Sequence, residues 1–165
     1  MTLYDNTLSP VWTKNVGDNG TGIIVTSADL NLDGTPELFI RNGSSLMILD
    51  SSNGNTLATH ACGSATGTEY VVIADVDHDN QTELLISCGN NHKVFESSDG
   101  SWASSRNVWH QYNYYPTSVN DDSSIPVSPI NHATPHIINR NATQPPGDIT
   151  PVSYTHLTLP TTGVV

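Results

Sequence analysis

Asp29-Leu30-Asn31-Leu32-Asp33-Gly34-Thr35-Pro36-Glu37 decides the reading of this chain, because it returns as Asp75-Val76-Asp77-His78-Asp79-Asn80-Gln81-Thr82-Glu83, 75 − 29 = 46 residues later. In both copies oxygen-bearing side chains stand at loop positions 1, 3, 5 and 9. A tight loop turns successive odd side chains inward, which suits a hard cation: Ca²⁺ takes about six to eight oxygens at about 2.3–2.6 Å. Position 6 is Gly34 in one copy and Asn80 in the other, the residue types that most easily adopt positive φ in a sharp turn. Two in-register copies argue against a pair of acidic turns that bind nothing.

The flanks separate this loop from other calcium loops. An EF-hand carries its bidentate Glu at position 12, between helices. Here the acid is at position 9, and position 12 is Ile40 or Ile86. A dockerin-like reading would also need helices and a much shorter repeat. The runs before the loops, Ile23-Ile24-Val25 and Tyr70-Val71-Val72-Ile73, and those after them, Leu38-Phe39-Ile40 and Leu84-Leu85-Ile86, are short and β-rich. Each loop therefore reads as the turn of a β-hairpin.

From Ala28 the two copies run in register without a gap. Ala28, Asp29, Asp33, Glu37, Leu38, Ile40, Gly43, Ser51, Ser52 and Gly54 recur as Ala74, Asp75, Asp79, Glu83, Leu84, Ile86, Gly89, Ser97, Ser98 and Gly100, ten identities in 27 positions. Later strands are expected at Leu46-Met47-Ile48-Leu49 and Thr56-Leu57-Ala58-Thr59 in the first unit, and at Lys93-Val94-Phe95 and near Trp102 in the second. The turns between them, at Gly43, Gly54, Gly89 and Gly100, suit hairpins. Four antiparallel strands on a period in the forties is the pattern of a β-propeller blade.

These residues carry a family resemblance over roughly residues 10 to 110. The two units resemble FG-GAP (VCBS-type) repeats, the blades of integrin-α-like propellers, which hold a D-x-[DN]-x-D-G-x-x-[DE] calcium loop between the first two strands of a blade. The resemblance implies two Ca²⁺ sites. One is formed by Asp29, Asn31, Asp33, Thr35 and Glu37, the other by Asp75, Asp77, Asp79, Gln81 and Glu83, with Thr35 and Gln81 binding through main-chain carbonyls. Asn31 removes one charge from the first loop, and Asn80 replaces the usual Gly in the second; both substitutions are compatible with a cation.

The remaining composition fits this reading. Sixteen acids against five Lys and Arg give a formal net charge of −11, and seven of the acids lie in the two loops. Two Ca²⁺ ions would bring the charge to −11 + 4 = −7. There is no basic patch to serve nucleic acid, no apolar run of the roughly 20 residues a membrane helix needs, and no signal peptide at the start. Cys62 and Cys88 lie 88 − 62 = 26 residues apart. A disulfide in an exported protein and two buried thiols are both open on spacing alone.

Beyond the repeats, Trp102, Arg106, Trp109, Tyr112, Tyr114 and Tyr115 crowd into fourteen positions and are followed by Asn120-Asp121-Asp122. The segment resembles a W-x-x-x-R-x-V-W-x-Q-Y-N-Y stretch that follows such repeats in some bacterial surface proteins. Two readings compete: an aromatic platform for sugar or protein, or aromatics that plug the last blade and pack on Arg106, which is preferred. Asn120-Asp121-Asp122 reads as a capped turn rather than a third metal site. Pro135, Pro145 and Pro146 mark a linker with solvated His132 and His136, and the sequon Asn141-Ala142-Thr143 matters only in a eukaryotic secreted protein. Pro151 to Thr161 resembles a translated sequencing-library adapter, so residues 151–165 are set aside as non-native and the chain is expected to be a truncated fragment.

The expectation is an all-β chain: two four-stranded antiparallel blades of a larger β-propeller, an aromatic-rich segment and a disordered tail. The units are residues 1–62 and 63–110 (blades), 111–130 (trailing segment), 131–150 (linker) and 151–165 (tail). Function divides between two classes. One is a non-catalytic, calcium-binding repeat region at the cell surface or outside the cell, meeting extracellular protein or polysaccharide, with further blades of the full-length chain beside it. The other is a fragment of a propeller-type polysaccharide lyase. No Gly-x-Ser-x-Gly elbow or His pair at metal-ligand spacing appears, so no catalytic residue is assigned.

Overall fold

A computed structural model describes residues 1–17, 23–63, 69–109 and 117–128. The readings for Tyr112, Tyr114 and Tyr115, for the linker and for the tail lie outside the described residues. The described chain is all-β, in three antiparallel sheets that follow the chain in order. A hairpin of β1 (Thr2–Tyr4) and β2 (Pro10–Thr13) comes first. A four-stranded sheet follows: β3 (Val25–Ala28), β4 (Glu37–Arg41), β5 (Ser45–Asp50) and β6 (Thr56–Ala61), each paired with the next. The third sheet is β7 (Val72–Ala74), β8 (Glu83–Cys88) and β9 (Asn91–Phe95). No helix among the described residues is long and apolar enough to cross a membrane.

Alternation along the strands explains the stacking. Successive side chains of a strand point to opposite faces, and β4 is buried along its whole length. Phe39 joins a core with Leu46, Ile48, Ile73, Leu84, Ile86 and Phe95, drawn from both larger sheets. Leu38 and Ile40 point the other way, into a second cluster with Val16 and Leu49, over which Met1 and Trp12 pack. The first large sheet is thus covered on one face by the second sheet and on the other by the N-terminal hairpin.

That hairpin has no counterpart among the strands expected from the sequence. Its turn places Leu8 at φ 62°, and Gly54 and Gly100 take φ 74° and 68° at 54 − 8 = 46 and 100 − 54 = 46 residues on. The hairpin is therefore a third turn on the same period. In it Leu8 stands where the other two copies have Gly. Asp5 Oδ1 carries the turn instead, accepting from the Thr7 and Ser9 N–H groups at 2.8 and 2.9 Å. Trp12 docks the hairpin by donating from Nε1 to Ser51 O at 2.8 Å. Its ring lies so close to Gly54 that a Cβ there would sit 2.8 Å from two ring carbons.

The second unit departs from the expected four strands: β7 to β9 make three, and the chain near Trp102 pairs with no strand edge among the described residues. It turns inward instead. Trp102 is buried in the core with Leu30 and Leu84. Ala103 N–H donates to Leu30 O at 2.8 Å, and Thr82 Oγ1 donates to Ala103 O at 2.5 Å. These bonds hold the segment against the acidic loops.

Three links tie the two larger sheets at one seam. Cys62, just after β6, is joined by a disulfide to Cys88 at the end of β8. Arg41 of β4 pairs with Glu69 at 2.5 Å and donates to Gly63 O at 2.7 Å. Thr26 of β3 donates to Val71 O at 2.9 Å. The disulfide thus bridges the two sheets rather than closing a loop inside one of them.

Candidate metal centre

Each acidic loop joins the first two strands of its sheet, β3 to β4 and β7 to β8. The backbone does the same thing twice. Positions 4 and 6 both adopt positive φ: Leu32 (53°) and Gly34 (88°), then His78 (65°) and Asn80 (70°). Position 6 was legible in the residue types; position 4 was not, since neither Leu nor His signals a left-handed backbone.

The side chains repeat as well. At position 1, Asp29 Oδ2 accepts from Gly34 N–H at 2.9 Å and Asp75 Oδ2 accepts from Asn80 N–H at 3.2 Å. At position 3, Asn31 Oδ1 and Asp77 Oδ1 each accept from the N–H two residues on, at 2.9 and 3.2 Å. At position 5, Asp33 and Asp79 accept from Thr35 and Gln81 N–H at 2.7 and 2.8 Å. At position 9, Glu37 Oε2 reaches back to Leu30 N–H at 2.8 Å and Glu83 Oε2 to Val76 N–H at 2.7 Å. Each bond fixes one oxygen, so the carboxylates are oriented by backbone rather than by cationic side chains.

The loops differ in how their acids converge. One oxygen each from Asp75, Asp77 and Glu83 lies within 4.8 Å of the other two, a grouping able to hold a metal ion. Asp79 is not among them; its two oxygens accept from the N–H and Nε2 of Gln81. In the first loop Asn31 Nδ2 donates to Asp33 Oδ2 at 3.0 Å, a bond that Asp77 cannot make at the same position. His78 is exposed.

Burial makes these acids costly without a cation. Burial pushes the Glu37 carboxyl up to about 7, against the hydrogen bond from Leu30 and with repulsion from Asp29 added. It pushes Glu83 up to about 7 as well, with Asp77, Asp79 and Asp75 adding repulsion. Asp29 is also raised, by burial first. Glu83 is 2% exposed, and its Oε1 finds no hydrogen-bond donor among the described residues. A buried, unpaired carboxylate oxygen beside two more carboxylates is the donor chemistry a hard cation compensates, so the residues fit Ca²⁺.

The sign of the pH dependence follows. Between about 4.5 and about 7 the metal-free folded chain keeps protons on Glu37 and Glu83 that the unfolded chain has lost. Metal-free stability therefore falls as pH rises through that window. A bound cation needs both groups ionised, so calcium affinity should rise across the same window. Calorimetric titration is expected to give affinity at least about tenfold weaker at about pH 5.5 than at about pH 7.5. Affinity independent of pH would remove these glutamates from the site.

The aromatic island packs rather than lining a platform, as far as its residues are described. Trp102 is in the core, and Trp109 packs against it with its ring 6.1 Å from that of Tyr70. Arg106 is buried, donates from Nε to Asp121 Oδ1 at 2.5 Å and from Nη2 to Val119 O at 2.7 Å. Asn120 to Ser124 form a turn closed by Ser123 N–H to Asn120 O and Asn120 N–H to Ser124 O, both at 2.9 Å.

Comparison with known proteins bears on these features. Residues 29–86, from position 1 of the first loop to the strand beyond the second, match the FG-GAP-like repeat. The crystal structure of the V. cholerae biofilm matrix protein Bap1 superposes with a TM-score of 0.68 at 22% sequence identity. The match covers 93% of this chain and spans about a quarter, 26%, of that one. No curated protein matches the chain.

Proposed function

We propose that this chain, whose residues 29–86 carry an FG-GAP-like repeat, is a calcium-stabilised, non-catalytic part of an extracellular β-propeller that presents a surface to protein or polysaccharide. The sheets at residues 1–62 and 63–110 are its blades, with 111–130 trailing behind them. Asp29, Asn31, Asp33, Thr35 and Glu37 would hold one Ca²⁺, and Asp75, Asp77, Asp79, Gln81 and Glu83 a second. Bound calcium supplies charge neutralisation at the hairpin turn of each blade; the chain supplies oxygens oriented by its own N–H groups. The observation that carries this reading is the buried Glu83 oxygen, without a donor, beside the clustered carboxylates of Asp75 and Asp77.

Three further features support it. The sheets stack in chain order on a 46-residue period, as propeller blades do. A disulfide at the seam suits an oxidising, exported setting. The neighbour in fold is a biofilm matrix protein, which favours a place outside the cell.

Thermal unfolding of the full chain tests the proposal. A ligand that binds only the folded state adds about 2.7 kcal/mol at a hundred times its Kd. Saturating Ca²⁺ is expected to raise Tm by several degrees over the chelated protein and over Mg²⁺ alone. Asp75→Ala should forfeit the larger share of that gain, with little change when calcium is absent. Identical melting with and without Ca²⁺ would overturn the proposal.

A further inference from the structure

We infer that residues 102–106 form a strap shared by the two acidic loops and that it couples them, so that calcium at one loop raises affinity at the other. This rests on the calcium reading above and adds the regulation of those sites. The coupling element is a single residue. Ala103 N–H donates to Leu30 O at 2.8 Å in the first loop, and Ala103 O accepts from Thr82 Oγ1 at 2.5 Å in the second.

Each contact lies one residue or one bond from a candidate ligand. Leu30, which receives Ala103 through its carbonyl, donates its own N–H to Glu37 Oε2 at 2.8 Å. Thr82 is fully buried and stands between Gln81 and Glu83. The strap meets the second loop again at Asp75, whose N–H donates to Arg106 O at 3.2 Å. Two anchors hold it in place: Trp102, buried in the core with Leu30 and Leu84, and Arg106, held by Asp121 and by Val119 O.

The physical consequence is a shared ordering cost. An ion at the second loop immobilises Asp75 and the Gln81–Glu83 backbone, and through Thr82 and Arg106 it immobilises the strap. Leu30, and with it Glu37, is then already held when an ion reaches the first loop, which binds with less entropy to lose. Linkage makes the effect reciprocal. Thr82, Ala103 and Arg106 are positioning residues here; none is a candidate ligand.

The test is a calcium titration of the full 165-residue chain by calorimetry, with tryptophan fluorescence followed in parallel. Filling the second loop is expected to raise affinity at the first about 5- to 20-fold, within the usual range for coupled sites. Asp75→Asn should lower the first loop's affinity by the same factor. Thr82→Val, nearly isosteric, should leave two sites with coupling below about twofold. Should Thr82→Val fail to fold, Asp121→Asn carries the test, because the Asp121 side chain is 44% exposed and lies outside both loops; it should reduce coupling at least twofold. Two independent sites in the unaltered chain, or undiminished coupling in the folded variants, would overturn the strap alone. No calcium binding at either loop would overturn the strap together with the calcium reading.

Discussion

Replacing Glu69 by Ala is expected to destabilise the folded chain by about 3–5 kcal/mol, the cost of leaving the buried Arg41 guanidinium without its partner. Arg41 sits in the middle sheet with its side chain 2% exposed, paired to Glu69 at 2.5 Å. Its Nη2 reaches Gly63 O, but a carbonyl cannot neutralise the guanidinium. Urea unfolding of Glu69→Ala against the unaltered chain measures the loss. The double replacement Arg41→Met with Glu69→Leu should recover much of it, since removing both charges removes the desolvation cost as well. A loss below about 1 kcal/mol would mean that water reaches Arg41 and that the seam is looser than described.

The second large effect is at the same seam. Cys62 and Cys88 are 26 residues apart in sequence, and closing a loop of that length restrains the unfolded chain by about 3–4 kcal/mol. Cys62→Ala with Cys88→Ala should lower unfolding free energy by about that amount, and a strong reductant should reproduce the loss in the unaltered protein. Mass spectrometry of non-reduced peptides checks the bond itself; two free thiols in oxidised material would contradict it. Both perturbations act where β4, β6 and β8 meet, so their combined effect should depart from the simple sum.

Much of this architecture could be read before any coordinates. The 46-residue recurrence gave both hairpin loops, and the apolar runs gave seven strands within a few residues of their observed places. What escaped the sequence has physical causes. Leu8 and Leu32 hold positive φ in turns where Asp5 Oδ1 and Asn31 Oδ1 accept from backbone N–H groups, and a Leu gives no hint of that. The missing fourth strand of the second unit reflects a long-range choice: the chain at Trp102 and Ala103 bonds to Leu30 and Thr82 instead of a neighbouring strand edge. No local propensity records such a preference.

The candidate site was legible as residue types and only partly as geometry. The side-chain oxygens at positions 1, 3, 5 and 9 single out eight residues, and the resemblance adds Thr35 and Gln81 at position 7 through their main-chain carbonyls. Sequence spacing could not tell that Asp79 is held on both oxygens by Gln81, while Asp75, Asp77 and Glu83 converge. It also gave no sign that Leu30 and Val76 would hold the glutamates from position 2, because that contact is made by backbone.

Calorimetric titration of calcium into the full chain and into the two single-loop knockouts, Asp29→Ala and Asp75→Ala, tests the central claim most directly. The first loop offers Asp29, Asp33 and Glu37, a formal charge of −3, and the second Asp75, Asp77, Asp79 and Glu83, or −4; Asp33 and Asp79 are held alike by amide donors, so the difference is Asp77 against neutral Asn31 at position 3. Affinity in such loops rises with charge count. The steric cost of Asn80 where the first loop has Gly34 is at most about 1 kcal/mol, smaller than one close charge facing a divalent ion even at an effective dielectric near 20. The expected result is two ions per chain, one in each knockout, with the tighter site surviving Asp29→Ala and Asp77→Asn narrowing the difference. No calcium bound, or a tighter site that survives Asp75→Ala, would contradict the account.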